Sequence, residues 1–109
     1  MAFNPSAYNL TPAAGAVSVV TTAGTAVTAV QGPINGGFIT NPLSATDQGI
    51  GAAEGLTVNF VTTATNAGNN GSQLLLAAGA TIALPALGPS GKVSVNALTS
   101  GHKFTVVIW

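Results

Sequence analysis

Short runs rich in valine, threonine and other strand-forming residues recur along almost all of this 109-residue chain, and glycine or proline separates them. Such residues fit a pleated, half-buried surface, whereas glycine and proline mark turns. About eight runs follow one another, at residues 16–20, 25–31, 37–40, 55–63, 73–76, 80–84, 92–98 and 102–109. This spacing predicts an all-β fold, a single β-sandwich or jelly-roll-like barrel of about eight short antiparallel strands.

The carboxy-terminal run has the clearest strand pattern. Its residues alternate with a period of two, so that Phe104, Val106 and Ile108 share one face, which we expect to point into the core. Lys103 and Trp109 fall on the other face, which is left to meet the second sheet or a neighbouring subunit. A Thr-Ser-Gly turn and another strand-like run come before it. We therefore expect the two final runs to pair as a core hairpin.

The first fifteen residues do not follow the strand pattern. Pro5 and Pro12 remove backbone donors and favour extended geometry in the residues before them. This composition predicts an extended N-terminal arm over residues 1–15, followed by one domain over residues 16–109. A frayed terminus is the alternative for the first segment.

Residues 43–55 also lack a strand pattern. Ser44 is placed to cap a single helical turn, with Asp47 three residues later as the second member of a capping box. Both acidic residues of the chain, Asp47 and Glu54, lie in this segment. We therefore expect a loop that contains one helical turn.

The chain carries very little charge. Only 4% of its residues are charged and its formal net charge is zero, whereas about 25% of the residues of a typical soluble domain are charged. Soluble monomers usually carry several net charges, which keep them dispersed. The composition therefore favours a protein that packs against copies of itself or a larger assembly. A monomer kept soluble by hydroxyl and amide groups is the alternative.

Few residues of the chain are suited to catalysis. His102 is the only histidine and there is no cysteine, so a nucleophile–base arrangement lacks partners and His102 is expected to be structural. Asp47 and Glu54 could form the carboxylate pair of a glycoside hydrolase. A helix cap and a solvated loop carboxylate are the roles that we favour for them. We accordingly expect no enzymatic activity.

Ligand and membrane motifs are also missing. A calcium site built from Asp47, Glu54 and loop carbonyls is conceivable, but no histidine or cysteine cluster and no EF-hand spacing occurs. We expect no cofactor and no metal. Two lysines cannot neutralise many phosphates, which argues against nucleic acid as a partner. The apolar stretch 74–87 is interrupted by Gly79 and Pro85 and is shorter than a membrane helix, which argues against a membrane.

Two segments, residues 36–50 (GGFITNPLSATDQGI) and 95–109 (VNALTSGHKFTVVIW), resemble the small cement (decoration) proteins of tailed bacteriophage capsids. The Met-Ala-Phe-Asn-Pro opening and the neutral composition, rich in alanine, threonine and glycine, are similar to those proteins as well. The resemblance implies a compact β-sandwich or jelly-roll unit, often a trimer, bound outside the shell of the major capsid protein. There it would reinforce the junctions between capsomers, as part of the virion at the capsid surface.

The expected contacts with the major capsid protein and with other copies lie in three places: the arm, the loop 41–55 and the edge of the last strand pair. The residues concerned are Phe3, Tyr8, Leu10, Asn41, Asp47, Glu54, His102, Lys103 and Trp109. Ordinary core or turn roles are the alternative for each of them. For Trp109 that alternative is a plug at the bottom of the sandwich.

Two other functions stay open at this point. The first is a carbohydrate-binding β-sandwich module on a virion or cell surface, for which the single tryptophan and single tyrosine offer little stacking surface. The second is a hydrolase that uses Asp47 and Glu54.

Overall fold

The computed structural model describes residues 19–22, 24–65 and 72–109. The predicted arm over residues 1–15, with Phe3, Tyr8 and Leu10, lies outside the described residues. Most of the strand predicted over residues 16–20 lies outside them as well.

The regular structure of the described chain is almost all β, as predicted. Its elements are β1 (Val19–Val20), β2 (Val27–Ile34), β3 (Gly37–Thr40), α1 (Ala45–Gln48), β4 (Leu56–Asn59), β5 (Gln73–Leu76), β6 (Thr81–Leu84), β7 (Gly88–Asn96), β8 (His102–Lys103) and β9 (Thr105–Ile108). The strands form antiparallel sheets with the orders β2-β7-β4-β5, β6-β3-β9 and β1-β8. The sheets make a compact, sandwich-like fold.

One hydrophobic core joins the sheets. Alternate residues of the strands supply it, because successive side chains of a strand point to opposite faces. The buried set draws on all three sheets and includes Val20, Ile34, Ile39, Leu56, Val58, Leu84, Val93, Val95, Phe104 and Val106. Phe104 and Val106 therefore point into the core as the sequence pattern predicted.

The predicted carboxy-terminal hairpin is wrong. β7 lies between β2 and β4, where Val95 is opposite both Val27 and Val58. β9 instead pairs with β3, where Val106 is opposite Ile39. Residues 97–101 therefore carry the chain from one sheet to another rather than closing a hairpin. Local periodicity identified both strands, but their partners are set by which distant strands complete each sheet.

The outer face of the four-stranded sheet carries five polar side chains that are nevertheless buried, and the segment 60–65 covers part of this face. They are Thr57, Asn59, Gln73, Ser94 and Asn96. Ser94 Oγ accepts a hydrogen bond from the Ala64 N–H at 2.9 Å, and Asn96 Nδ2 donates to the Ala64 carbonyl at 3.0 Å. The strand periodicity did not predict this polar layer.

Within the described residues, no helix is long and apolar enough to cross a membrane.

Candidate functional site

The segment between β3 and β4 begins with the capped helical turn that the sequence predicted. Ser44 Oγ accepts a hydrogen bond from the Asp47 N–H at 3.1 Å. Gly49 ends α1 in the left-handed conformation, with φ of 75°, which glycine adopts without steric cost. This one turn directs the side chain of Gln48 into the protein, where it is fully buried.

Gln48 ties the two ends of this segment together. Its Nε2 donates to the Pro42 carbonyl at 2.7 Å and to the Glu54 carbonyl at 3.1 Å. Its Oε1 accepts from the Glu54 N–H at 2.9 Å. A single buried amide thus satisfies backbone groups that would otherwise be costly to bury.

Asn41, directly after β3, has an amide whose orientation is fixed by its surroundings. Nδ2 donates to the carbonyls of Glu54 at 2.9 Å and Leu76 at 3.0 Å. Carbonyl oxygens can only accept, so the nitrogen must face them and Oδ1 must face the other way. Oδ1 lies 3.2 Å from Gln48 Nε2 and 2.7 Å from His102 Nε2.

His102 is completely buried at the start of β8, which pairs with β1. Its Nδ1 lies 3.0 Å from Glu54 Oε1. Glu54 also accepts from Thr99, whose N–H donates to Oε1 at 3.0 Å and whose hydroxyl donates to Oε2 at 2.8 Å. We call the side chains of Asn41, Gln48, Glu54, Thr99 and His102 the Asn41 network.

The network keeps the Glu54 carboxyl ionised. Burial by itself raises the pKa of this carboxyl, but the hydrogen bonds from His102 and Thr99 and the charge interaction with His102 lower it more. The pKa therefore lies below its ordinary value of 4.5. A carboxylate that is hydrogen-bonded in the folded state makes stability depend on acid.

We expect the stability of the protein to fall as the medium is acidified. Because the folded pKa of Glu54 is lowered, its contribution is complete above the ordinary value of 4.5 and is lost as the pH falls through the folded pKa. Denaturant midpoints measured from about pH 6 to about pH 3 should decrease more for the wild-type protein than for Glu54→Gln.

Asp47→Asn is the matched control, since Asp47 is an exposed carboxylate on α1. It removes the same charge without touching the network and should keep the acid dependence of the wild-type protein. An equal acid dependence in Glu54→Gln and the wild-type protein would show that the carboxylate of Glu54 has no such role.

The arrangement differs from a hydrolase triad in the group that contacts the second nitrogen of the imidazole. A carboxylate on one ring nitrogen is shared with hydrolase triads, but the other nitrogen there activates a hydroxyl or thiol. Here it faces the amide oxygen of Asn41, and solvent does not reach the ring. In the described part of the chain every buried side-chain nitrogen and oxygen has a hydrogen-bond partner. Across the same residues, no three His, Asp or Glu side chains cluster as metal ligands would.

The structure brings together three residues of the predicted contact set, Asn41, Glu54 and His102, which are distant in the sequence. Asn41 and His102 are wholly buried and the Glu54 side chain is 15% exposed, so in the folded chain they face each other rather than a partner. The expectation of a solvated loop carboxylate at Glu54 is therefore wrong. The reason is that the turn 97–101 brings His102 and Thr99 over it.

The remaining described members of the predicted contact set are exposed. Asp47 lies on α1, Lys103 follows His102, and the Trp109 side chain is 40% exposed. Trp109 lies against Gly36, since a Cβ on that glycine would be 2.8 Å from the indole Nε1. This exposure is greater than a plug within the sandwich would have.

Sequence reasoning missed Gln48 and Thr99. Neither belongs to a recognisable motif, and the bond between Glu54 and His102 joins residues 48 positions apart. The only signal in the sequence for the pairing of Glu54 with His102 was that neither residue had another assigned role. Sequence reasoning also missed the exposed side chains of Leu43, Val61 and Leu98.

Comparison with known proteins finds no matching family model and no similar curated protein or solved structure.

Proposed function

We propose that the protein is a structural virion component that binds the outside of a phage capsid shell and cements neighbouring capsomers. It acts as a homo-oligomer, with a trimer as the expected state, and its partners are the major capsid protein and its own copies. The observation that carries this proposal is the set of large apolar side chains exposed on a chain with almost no charge. A surface of this kind favours association.

The most exposed of these side chains lie on loops. Leu43, Val61 and Leu98 are 73%, 75% and 62% exposed. Leu43 is two residues from Asn41, and Leu98 directly precedes Thr99, so the Asn41 network supports the backbone that carries both. Loops that are already ordered lose less conformational entropy on binding. An ordered backbone at Leu43 and Leu98 is therefore expected of a surface that forms a long-lived contact with a partner.

The positions in the fold of the two segments that carry the resemblance give further support. The segments 36–50 and 95–109, on which the resemblance to cement proteins rests, meet in the Asn41 network: the first contains Asn41 and Gln48, and the second contains Thr99 and His102. The network groups are hydrogen-bonded to one another, which is consistent with a structural role.

The first test uses the purified protein and expanded capsids assembled from the major capsid protein of the same genome. Analytical ultracentrifugation should show a stable oligomer, and the protein should bind the capsids and raise the temperature at which they break. A strictly monomeric protein with no affinity for the capsids would refute the proposal.

We expect the leucines near the network to contribute to capsid binding. Burying one leucine side chain stabilises a contact by about 1.5–3 kcal/mol, which corresponds to at least about tenfold in affinity. The double variant Leu43→Ser/Leu98→Ser should therefore bind at least about a hundredfold more weakly. Val61→Ser, equally exposed but away from the network, is the matched control. Similar binding by the double variant and the wild-type protein would contradict the placement of the contact.

The carbohydrate-binding alternative has one observation in its favour, the partial exposure of Trp109, the one exposed aromatic side chain among the described residues. A glycan array that showed specific binding, lost in Trp109→Ala, would support this alternative over the cement proposal. We expect no specific glycan binding.

A further inference from the structure

We infer that His102 is a doubly protonated imidazolium in the folded protein, and that loss of its proton opens the end of the fold held by the Asn41 network. The inference does not depend on the proposed function. It rests on the groups around one buried ring, both of whose nitrogens lie within hydrogen-bond distance of an acceptor oxygen.

The first step concerns Nε2 of His102. It lies 2.7 Å from Asn41 Oδ1, an acceptor. The amide of Asn41 cannot be turned over to offer its nitrogen, because that nitrogen is held by the carbonyls of Glu54 and Leu76. Gln48 Nε2 also points at Oδ1, which agrees with this orientation. Nε2 must therefore carry a hydrogen.

The second step concerns Nδ1, which lies 3.0 Å from Glu54 Oε1. One hydrogen must lie in this contact, either on the ring or on the carboxyl. Thr99 donates to both oxygens of the Glu54 carboxyl, which favours a carboxylate and assigns the hydrogen to the ring. With a hydrogen on both nitrogens, the ring is an imidazolium paired with a carboxylate.

The third step concerns the loss of a proton. A neutral ring keeps one hydrogen, so either Glu54 Oε1 or Asn41 Oδ1 would face a lone pair at close range in a buried site. An unpaired buried acceptor is costly. The cost is relieved when the segment 41–55 separates from the turn 97–103 and water enters. Proton release and opening are therefore linked.

Few other charges act on the ring. The ring is surrounded by β1, α1 and the segments 41–44, 49–55 and 97–101, and among these described residues only Glu54 is an ionisable group in contact with it. Asp47 lies exposed on α1, and the aliphatic part of Lys103 lies beside Gly49. Lys92 lies exposed on β7. The chain has no other Asp, Glu, Lys, Arg or His, while Tyr8 and the amino terminus lie outside the described residues.

The direct test is ¹⁵N NMR of the imidazole in the wild-type protein, where the single histidine gives one set of signals. At about pH 7.5 a histidine side chain in water is mostly neutral. We expect the shifts of two protonated nitrogens, with both N–H signals protected from solvent. The spectrum of a neutral tautomer at this pH would overturn the inference.

A second test is the dependence of folding on base. The folded state binds one proton more than the unfolded chain, so stability is complete at lower pH and is lost as the pH rises. Above the pH at which an unfolded histidine is mostly neutral, the folding equilibrium constant should fall by up to about tenfold per pH unit. His102→Gln should lack this decrease. A wild-type folding constant that is flat over this range would overturn the inference, whether or not the variant folds.

Discussion

Replacing Gly37 with alanine is expected to lower the free energy of unfolding by about 4 kcal/mol or more, enough to unfold a protein of ordinary stability in part. Gly37 begins β3, between Leu84 of β6 and Ile108 of β9. Its φ is 147°, a conformation that residues with a side chain rarely adopt. An added Cβ would also collide with the carbonyl oxygen of Val107 and lie 2.9 Å from the Ile108 Cα.

Both colliding groups belong to the backbone of β9, so no side-chain movement can relieve the contact. The strand itself would have to separate from β3, which breaks the pairing that holds the carboxy-terminal strand in its sheet. Guanidinium denaturation followed by the fluorescence of Trp109, the only tryptophan, measures the loss.

Gly51→Ala is the matched control for this substitution. Gly51 is exposed, has no positive φ, and an added Cβ would meet nothing within 4 Å. We expect its stability to change by less than about 0.5 kcal/mol. A wild-type denaturation midpoint for Gly37→Ala would show that β3 and β9 are not paired in this register.

Replacing Asn41 with alanine is expected to lower the free energy of unfolding by about 3 kcal/mol or more. The change removes the Asn41 donor from the Leu76 carbonyl and the acceptor that faces His102 Nε2. Gln48 Nε2 and the Glu54 carbonyl each lose one bond to Asn41 but stay bonded to each other. Each polar group that stays buried without a partner costs about 1–3 kcal/mol, and water that enters the vacated space offsets part of this sum. Urea denaturation at neutral pH measures the loss.

Asn35→Ala removes the same amide from an exposed position in the turn between β2 and β3. It should change the free energy of unfolding by less than about 0.5 kcal/mol. A loss below about 1 kcal/mol for Asn41→Ala would mean that the network contributes no more than an ordinary surface hydrogen bond.

The network is expected to be complete only over a middle range of pH. Acid removes the carboxylate of Glu54, and base removes the second proton of His102. Either change leaves a contact in which the donors and acceptors no longer match. The loops that carry Leu43 and Leu98 are attached to this network, so the surface proposed to meet the capsid should be best ordered between these two limits.

The strands and the helical turn were predictable because their signals are local. Alternation located β9 and the inward side of Phe104 and Val106. The position of Ser44 predicted the cap of α1. The pairing of β7 and β9 was not predictable, because a period of two identifies a strand but not its neighbours. Gln48 was not predictable either, since nothing in its sequence surroundings distinguishes a buried glutamine from an exposed one.

The sequence by itself determined that this chain forms short strands joined by glycine and proline turns, that it carries almost no charge, and where its one helical turn begins. These properties depend on residues close together in the chain. Only the tertiary structure decided that Asn41, Glu54 and His102 form one buried network, with Leu43 and Leu98 exposed beside it. The physical reason is that burial and hydrogen-bond partners depend on contacts between distant segments, which are formed only when the sheets assemble.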